Sequence, residues 1–345
     1  MHARLTRLLL GVVLVHATAF ALADGTDKRS AFLRLIDRPS VALAPETKQL
    51  SNSGGLQNVH FTYAADARER VPGLLWKRPG NDKRPAVIVM HGTGASKQVP
   101  GIVSLCERFA HRGFVCVAID GRYHGERTTT GSGADEYNKA IEQAWHNGKE
   151  HPFYYDTVWD IMRLIDYLET RPDIDAKRIG LTGISKGGIE TYFTAAVDTR
   201  VAAAVPLIGV QSFKWALDNG QWNARIATIQ SAFDAAAQDA GKSTSDVEFV
   251  RTFYDRIVPG IYGEFDGPAM LPLIAPRPLL VINGDSDANT PIAGVRLAVE
   301  AAKPAYAAQN ATSNLVLTVQ ENTAHKVNPE SFDATIEWFV RWLKP

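Results

Sequence analysis

The pentapeptide Gly183-Ile184-Ser185-Lys186-Gly187 sets a serine between two glycines where a short apolar run, residues 179–181, gives way to a helical pattern over 187–197. A G-x-S-x-G at a strand-to-helix corner bends the chain sharply enough to lift the hydroxyl above a sheet, and a side chain at either glycine obstructs that bend. Gly188 further lets the helix approach the strand. The free amides of the helix N-terminus favour developing negative charge. The expected chemistry is attack by the Ser185 oxygen on a carbonyl; the alternative is a structural turn serine.

A serine hydroxyl is a weak nucleophile without an imidazole base and a group to orient that base. The chain has nine histidines. His325 stands out because it follows the apolar stretch 315–319 and precedes the last helical pattern, so its loop can fold over the serine. His91 sits in His91-Gly92-Thr93-Gly94 with a different, structural role, and His111 falls on a helix. His124, His146 and His151 lie in an irregular stretch over 121–152 and compete for the part of base. For the acid, the apolar run 279–282 leads into a turn-rich exit over 283–291 that holds Asp285 and Asp287. Asp287 is the expected orienting acid and Asp285 a turn-capping residue. The order serine, aspartate, histidine suits this topology. Amides that receive the tetrahedral oxyanion are expected from Lys186 and from Thr93 or Gly94, in the loop after the run 86–90.

Lys186 carries a second signal. A cation in the first turn of a helix opposes the helix dipole by about 0.3–1 kcal/mol, so a partner is expected. Glu190, four residues on, offers a surface pair; an acidic group of the substrate or of the insertion described below is the other option.

These residues need elements to position them. Residues 59–64 and 71–76, joined by a polar turn over 65–70, read as a hairpin. The runs 86–90, 113–119, 179–181, 201–208 and 279–282 lack polar alternation, as strands buried on both faces do, which predicts a parallel sheet. Helical patterns fall between them at 101–111, 155–169, 187–197, 292–302 and 331–343. In the second, Val158, Ile161, Met162, Ile165 and Leu168 share one face. The alternation predicts an α/β fold: a mostly parallel, doubly wound sheet with helices on both faces. Residues 211–276 break the rhythm with a helical insertion, read either as a lid or as a rigid extra layer. Within it, Trp215 and Trp222 are core residues or candidate substrate contacts.

The chain has 345 residues, 45% hydrophobic and 21% charged, enough for a full core. Lys plus Arg (37) balance Asp plus Glu (37), so there is no basic footprint for nucleic acid. Cys106 and Cys116 are too few for a disulfide framework or a four-ligand zinc site. The expectation for them is two buried, inert thiols, with a disulfide as the alternative. Arg4 and Arg7, an apolar run over 8–15 and Ala21-Leu22-Ala23 have the layout of an export signal cleaved after Ala23. The run is short for a membrane span, so no anchor is expected on the exported chain, which would be periplasmic or secreted. A polar leader, 24–57, would then precede the domain, 58–345.

Together the triad order, the motif placement and Asp120-Gly121-Arg122-Tyr123-His124-Gly125-Glu126-Arg127 resemble the α/β-hydrolase superfamily, in its dienelactone-hydrolase, acetyl-xylan-esterase and prolyl-oligopeptidase-like branch. The resemblance spans residues 59–345. It implies serine hydrolysis of esters or peptides without metal or organic cofactor. Dienelactone hydrolases carry a cysteine where this chain has Ser185, so their lactone substrate does not carry over. Arg122 and His124 are candidate substrate contacts at the pocket mouth, unless Arg122 ties its loop down through Asp120 or Glu126. The leading expectation is an exported serine carboxylesterase or deacetylase. A serine peptidase is the alternative, weakened because the leader is too short for a propeller. A non-catalytic binding protein with the same fold is a third reading.

Overall fold

A computed structural model describes residues 27–345. The export signal read over residues 1–23 and its cleavage site lie outside the described residues. A helix over 27–36 (α1) opens the described chain. Its Phe32 stacks on Phe193 at 5.3 Å and meets Tyr155 and Phe265 edge-on at 4.7 and 5.2 Å. The segment read as a polar leader is thus pinned to the domain by an aromatic anchor.

Three strands follow, β1 (Glu46–Gln49), β2 (Gln57–Ala64) and β3 (Arg70–Lys77), paired antiparallel in that order. In the β2–β3 turn, Asp66 Oδ1 accepts the Arg68 and Glu69 amides at 2.9 and 3.0 Å. The strand β1 is absent from the sequence reading because all four of its residues are exposed at the sheet edge and show no apolar alternation.

From there strands and helices alternate: β4 (Arg84–Met90), α2 (Pro100–His111), β5 (Val115–Ile119), α3 (Gly133–Asn147), α4 (Tyr155–Glu169), β6 (Ile174–Ile184), α5 (Lys186–Val197) and β7 (Val201–Leu207). Next come α6 (Phe213–Asp218), α7 (Asn223–Ile226), α8 (Gln230–Asp239), α9 (Val247–Ile257) and α10 (Gly267–Met270). The chain closes with β8 (Leu279–Gly284), α11 (Ile292–Ala308), β9 (Leu315–Gln320) and α12 (Pro329–Leu343). One nine-stranded sheet has the order β1-β2-β3-β5-β4-β6-β7-β8-β9. Neighbours are parallel from β5 through β9 in that order. The fold is therefore α/β with a mostly parallel, doubly wound sheet.

The strands β4, β5, β7 and β8 are largely apolar because both faces are covered. In β4, Ala86, Ile88 and Met90 join the core built with α4 and α5, while Val87 and Val89 face α2 and α12. Parallel pairing brings the carboxyl ends of β4, β5, β6, β7, β8 and β9 to one edge, where open α/β sheets bind ligands. The chain leaves β4 toward β5 on one side and returns to β6 on the other, so the switch point lies beside the Ser185 turn.

The stretch 121–152, read from sequence as irregular, contains α3. Ser132 caps it by accepting the Asp135 amide at 3.4 Å, and Gly148 ends it at φ 61°. Its apolar stripe is thin: Tyr137, Ala140, Ile141 and Ala144 are buried within an otherwise polar segment. Helices α8 and α9 pack on it: Phe249 and Phe253 meet Trp145, and Phe253 meets Phe233, while Phe213 on α6 meets Tyr154 and Tyr254. Cys106 on α2 and Cys116 on β5 are buried free thiols, and burial pushes the Cys116 thiol up. Among the described residues no helix is long and apolar enough to cross a membrane.

Candidate active site

Ser185 sits between β6 and α5 with φ 57° and ψ −112°, a conformation that a non-glycine residue adopts only when its surroundings hold it there. Its amide donates to Leu207 O at 2.9 Å and its carbonyl accepts the Ile189 amide at 3.0 Å. The flanking glycines are dictated by backbone. A Cβ at Gly183 would lie 2.4 Å from Gly187 O, and one at Gly187 would lie 2.5 Å from Met90 O. The hydroxyl is left partly exposed at the carboxyl edge of the sheet.

His325 reaches that hydroxyl from the loop between β9 and α12, with Nε2 at 2.7 Å from Ser185 Oγ and Nδ1 at 2.8 Å from Asp287 Oδ2. A carboxylate only accepts, so Nδ1 carries the proton and Nε2 is free to accept the serine proton. Asp287 lies in the turn after β8, where it also accepts the Asn289 amide at 2.8 Å, the Thr290 amide at 3.2 Å and the Thr290 hydroxyl at 2.7 Å. Burial raises its carboxyl, but the bond from His325 and those from Thr290 and Asn289 outweigh burial and hold it below the usual range.

Two residues fix the loop that carries His325. Asp285 accepts the Asn322 and Thr323 amides at 2.9 and 3.1 Å, which ties the exit of β8 to that of β9. Those amide bonds lower its carboxyl. It also accepts the Ser286 hydroxyl at 2.9 Å, so it caps its own turn as well as the histidine loop. Gln320, at the end of β9, donates to Lys326 O at 2.8 Å and accepts the Asn328 amide and Ser331 hydroxyl at 2.7 and 2.8 Å, bracketing His325 from both sides. Neither role is visible in local spacing.

The loop after β4 holds the other expected oxyanion donors. The Gly94 amide is already taken: it donates to His124 Nε2 at 3.0 Å. The Thr93 and Lys186 amides hold no hydrogen bond among the described residues. The expected pair narrows to these two, and Gly94 drops out.

His124 is therefore buried rather than at a pocket mouth. Arg122 is turned inward too, with Nε and Nη2 on Asp160 at 3.2 and 3.0 Å and Nη2 on Asp66 at 3.1 Å. It ties its loop down, through Asp160 and Asp66 instead of Asp120 or Glu126, and has no surface to offer a substrate. Trp222 is core of the helical insertion, its ring 6.4 Å from that of Phe233. Trp215 differs. It is half-buried and, with Gln221, Asp285, Ser286 and Ile292, lines an open cleft of about 330 Å³ that reaches Asp287.

Lys186 pairs with Glu190 as its spacing suggests, but both side chains are fully buried. The ammonium also lies 5.4 Å from the centre of the Tyr137 ring. Burial raises the Glu190 carboxyl despite Lys186 beside it. A second buried pair escaped the sequence reading. Lys97, beyond the Thr93 loop, meets Asp120 at the exit of β5, and Glu126 at 2.6 Å. Asp120 also accepts the Lys97 and Glu126 amides, both at 2.9 Å.

A doubly wound sheet with a serine turn at the switch point and a histidine loop folded over it defines an α/β-hydrolase. Residues 79–310, more than half of the chain, match the family model described as glucuronyl esterase, fungi, and the chain belongs to that family. A 4-O-methyl-glucuronoyl methylesterase of Phanerochaete carnosa is 26% identical over 183 residues, which cover 52% of this chain and 43% of that protein. Among solved structures, methylesterase BT1017 aligns with TM-score 0.67 and 19% identity over 95% of this chain and 65% of that chain. Acetyl xylan esterase 1 from Thermoanaerobacterium sp. JW/SL YS485 aligns with TM-score 0.64 and 18% identity over 92% and 93%. These structural likenesses establish the fold. The chain spans about half the length of curated relatives such as YtaP of Bacillus subtilis (strain 168).

Proposed function

We propose that this protein is an exported esterase that works through an acyl-enzyme on Ser185. The reading is carried by the chain of hydrogen bonds from Ser185 Oγ to His325 Nε2 (2.7 Å) and from His325 Nδ1 to Asp287 Oδ2 (2.8 Å). His325 takes the serine proton as Oγ attacks the ester carbonyl, and Asp287 holds the imidazole and steadies the imidazolium. The oxyanion binds the Thr93 and Lys186 amides. Its collapse expels the alcohol, which takes the proton from His325. Water, deprotonated by the same imidazole, then attacks the acyl carbonyl and releases the acid and Ser185.

The substrate class we favour is an ester on a carbohydrate: a methyl ester of a sugar acid, or an acetylated sugar. The family description and the names of the relatives support it, as does the open cleft at Trp215, whose indole and polar rim suit a sugar ring. Export rests on the layout of residues 1–23.

The test is turnover of p-nitrophenyl acetate and of methyl glucuronate by the wild type and by Ser185→Ala, together with fluorophosphonate labelling. Turnover and labelling of the wild type, both lost in Ser185→Ala, is the expected result. An aminoacyl reporter cleaved with a much higher kcat/KM than either ester would overturn the esterase reading, and full activity in Ser185→Ala would overturn the mechanism. Export is tested by N-terminal sequencing of the protein recovered outside the cytoplasm, which should begin at Asp24.

A further inference from the structure

Two histidines beside the nucleophile take no part in the mechanism above, yet each is buried in a specific exchange. His91, at the start of the loop after β4, accepts the Gly121 amide on Nε2 at 3.0 Å. His124, in the loop after β5, accepts the Gly94 amide on Nε2 at 3.0 Å. Each loop thus lends an imidazole to the other's backbone, and the two rings lie 5.0 Å apart.

The tautomers are forced. His91 Nδ1 faces Gly92 O at 2.8 Å, and His124 Nδ1 faces Arg122 O at 2.7 Å. A carbonyl only accepts, so both Nδ1 atoms carry protons, and both Nε2 atoms offer the lone pair that the amides need. Only the neutral ring does both jobs. The surroundings agree: burial and the nearby Lys186 ammonium push His91 down to about 4 and His124 down to about 2.

What is laced is the oxyanion loop. Gly92 packs against the serine turn, where a Cβ on it would lie 3.6 Å from Ser185 Cβ. Thr93 stands between the laced Gly94 and the His91 that laces Gly121. The Lys97–Asp120 pair closes the same two loops further along. We infer that His91 and His124 are positioning residues for the reaction: by cross-tying the two loops they hold the Thr93 amide in place for the oxyanion. This rests on the proposed serine-esterase mechanism.

An amide that matters only for the oxyanion affects kcat and leaves substrate binding alone. His124→Leu keeps the bulk and removes the acceptor; His124→Gln returns an acceptor, Oε1, near the place of Nε2. With p-nitrophenyl acetate, His124→Leu should lose about 10–100-fold in kcat with KM little changed. It should bind a trifluoromethyl ketone, which forms a tetrahedral adduct on the serine, weaker by a similar factor. His124→Gln should recover most of both. If His124→Leu does not fold, His91→Leu with His91→Gln reads the reciprocal tie in the same way. Wild-type kcat in a folded Leu variant overturns the inference. So does an equal loss in the Leu and Gln variants with the ketone affinity untouched, which would mark a packing role. Ser185→Ala separates the two levels: turnover that survives it sinks the esterase mechanism and this inference together. Turnover lost in Ser185→Ala but unchanged in His124→Leu sinks the inference alone.

Discussion

The neutral state of His124 has a consequence for stability that can be measured apart from catalysis. An unfolded imidazole takes up its proton near pH 6.5, but in the fold burial and Lys186 hold His124 down to about 2. Below pH 6.5 the unfolded chain therefore binds a proton that the native state refuses. Stability from this group is complete above about pH 6.5 and drains away as pH falls toward about 2, where the folded ring itself titrates. At pH 5 the loss is about 2 kcal/mol, from roughly 1.4 kcal/mol per pH unit. That is a large share of a net stability of about 5–15 kcal/mol. His91 and His151 are also lowered and act in the same direction, while the raised carboxyls of Glu190 and Asp266 act against it. A difference measurement removes these common contributions. His124→Gln cannot titrate and keeps an acceptor for the Gly94 amide, so urea unfolding of wild type and variant at pH 7.5 and pH 5 isolates the one ring. The variant should lose about 2 kcal/mol less than wild type over that interval. Parallel losses in the two proteins would refute the argument that this histidine is buried as a neutral acceptor.

Three other outcomes follow from the same geometry. Asp287→Asn should keep the fold but lower kcat on p-nitrophenyl acetate by on the order of 10³–10⁴, because an amide no longer enforces the Nδ1–H tautomer of His325; steady-state kinetics checks it. Gly188→Ala would set a Cβ 2.5 Å from Leu207 O, a backbone atom that cannot swing away, so unfolding experiments should register a destabilisation of about 1–3 kcal/mol. Lys186→Met strands the buried Glu190 carboxyl at a cost of about 3–5 kcal/mol, and adding Glu190→Leu should return most of it, as a double-mutant cycle in urea would measure.

The residues of the candidate site are legible from sequence for identifiable reasons. Ser185 announces itself because glycines are required on both sides by backbone at 2.4 and 2.5 Å, and those glycines sit at the end of an apolar run. Asp287 and His325 follow from topology: each lies in the first loop after a parallel strand, β8 or the partly buried edge strand β9, and such loops share one edge of the sheet. Segments with weak patterns are harder. Four buried residues in the polar background of α3, the two anchors Phe32 and Ile36 of α1, and the wholly exposed β1 give little periodicity to detect. Position relative to solvent is harder still. Spacing identifies Glu190 as the partner of Lys186, but that the pair is sealed under Tyr137 depends on α3, a distant element.

What sequence spacing does not encode is the frame that holds these residues in register. Each cross-tie joins a side chain to the backbone of another loop: from loops, His91 to Gly121, His124 to Gly94, and Asp285 to Asn322 and Thr323, and from α7, Arg225 to the carbonyl of Asn289 beside Asp287. A loop at a sheet edge has no ladder to hold it, so its geometry must come from such ties, and a tie works only if its acceptor stays an acceptor. Buried neutral imidazoles and amide-bound carboxylates satisfy that condition. The same requirement explains why Arg122 and His124, which sit in a loop beside the nucleophile and look available in one dimension, are turned inward. In these two residues the polar atoms are spent on holding the loop and do not face the substrate.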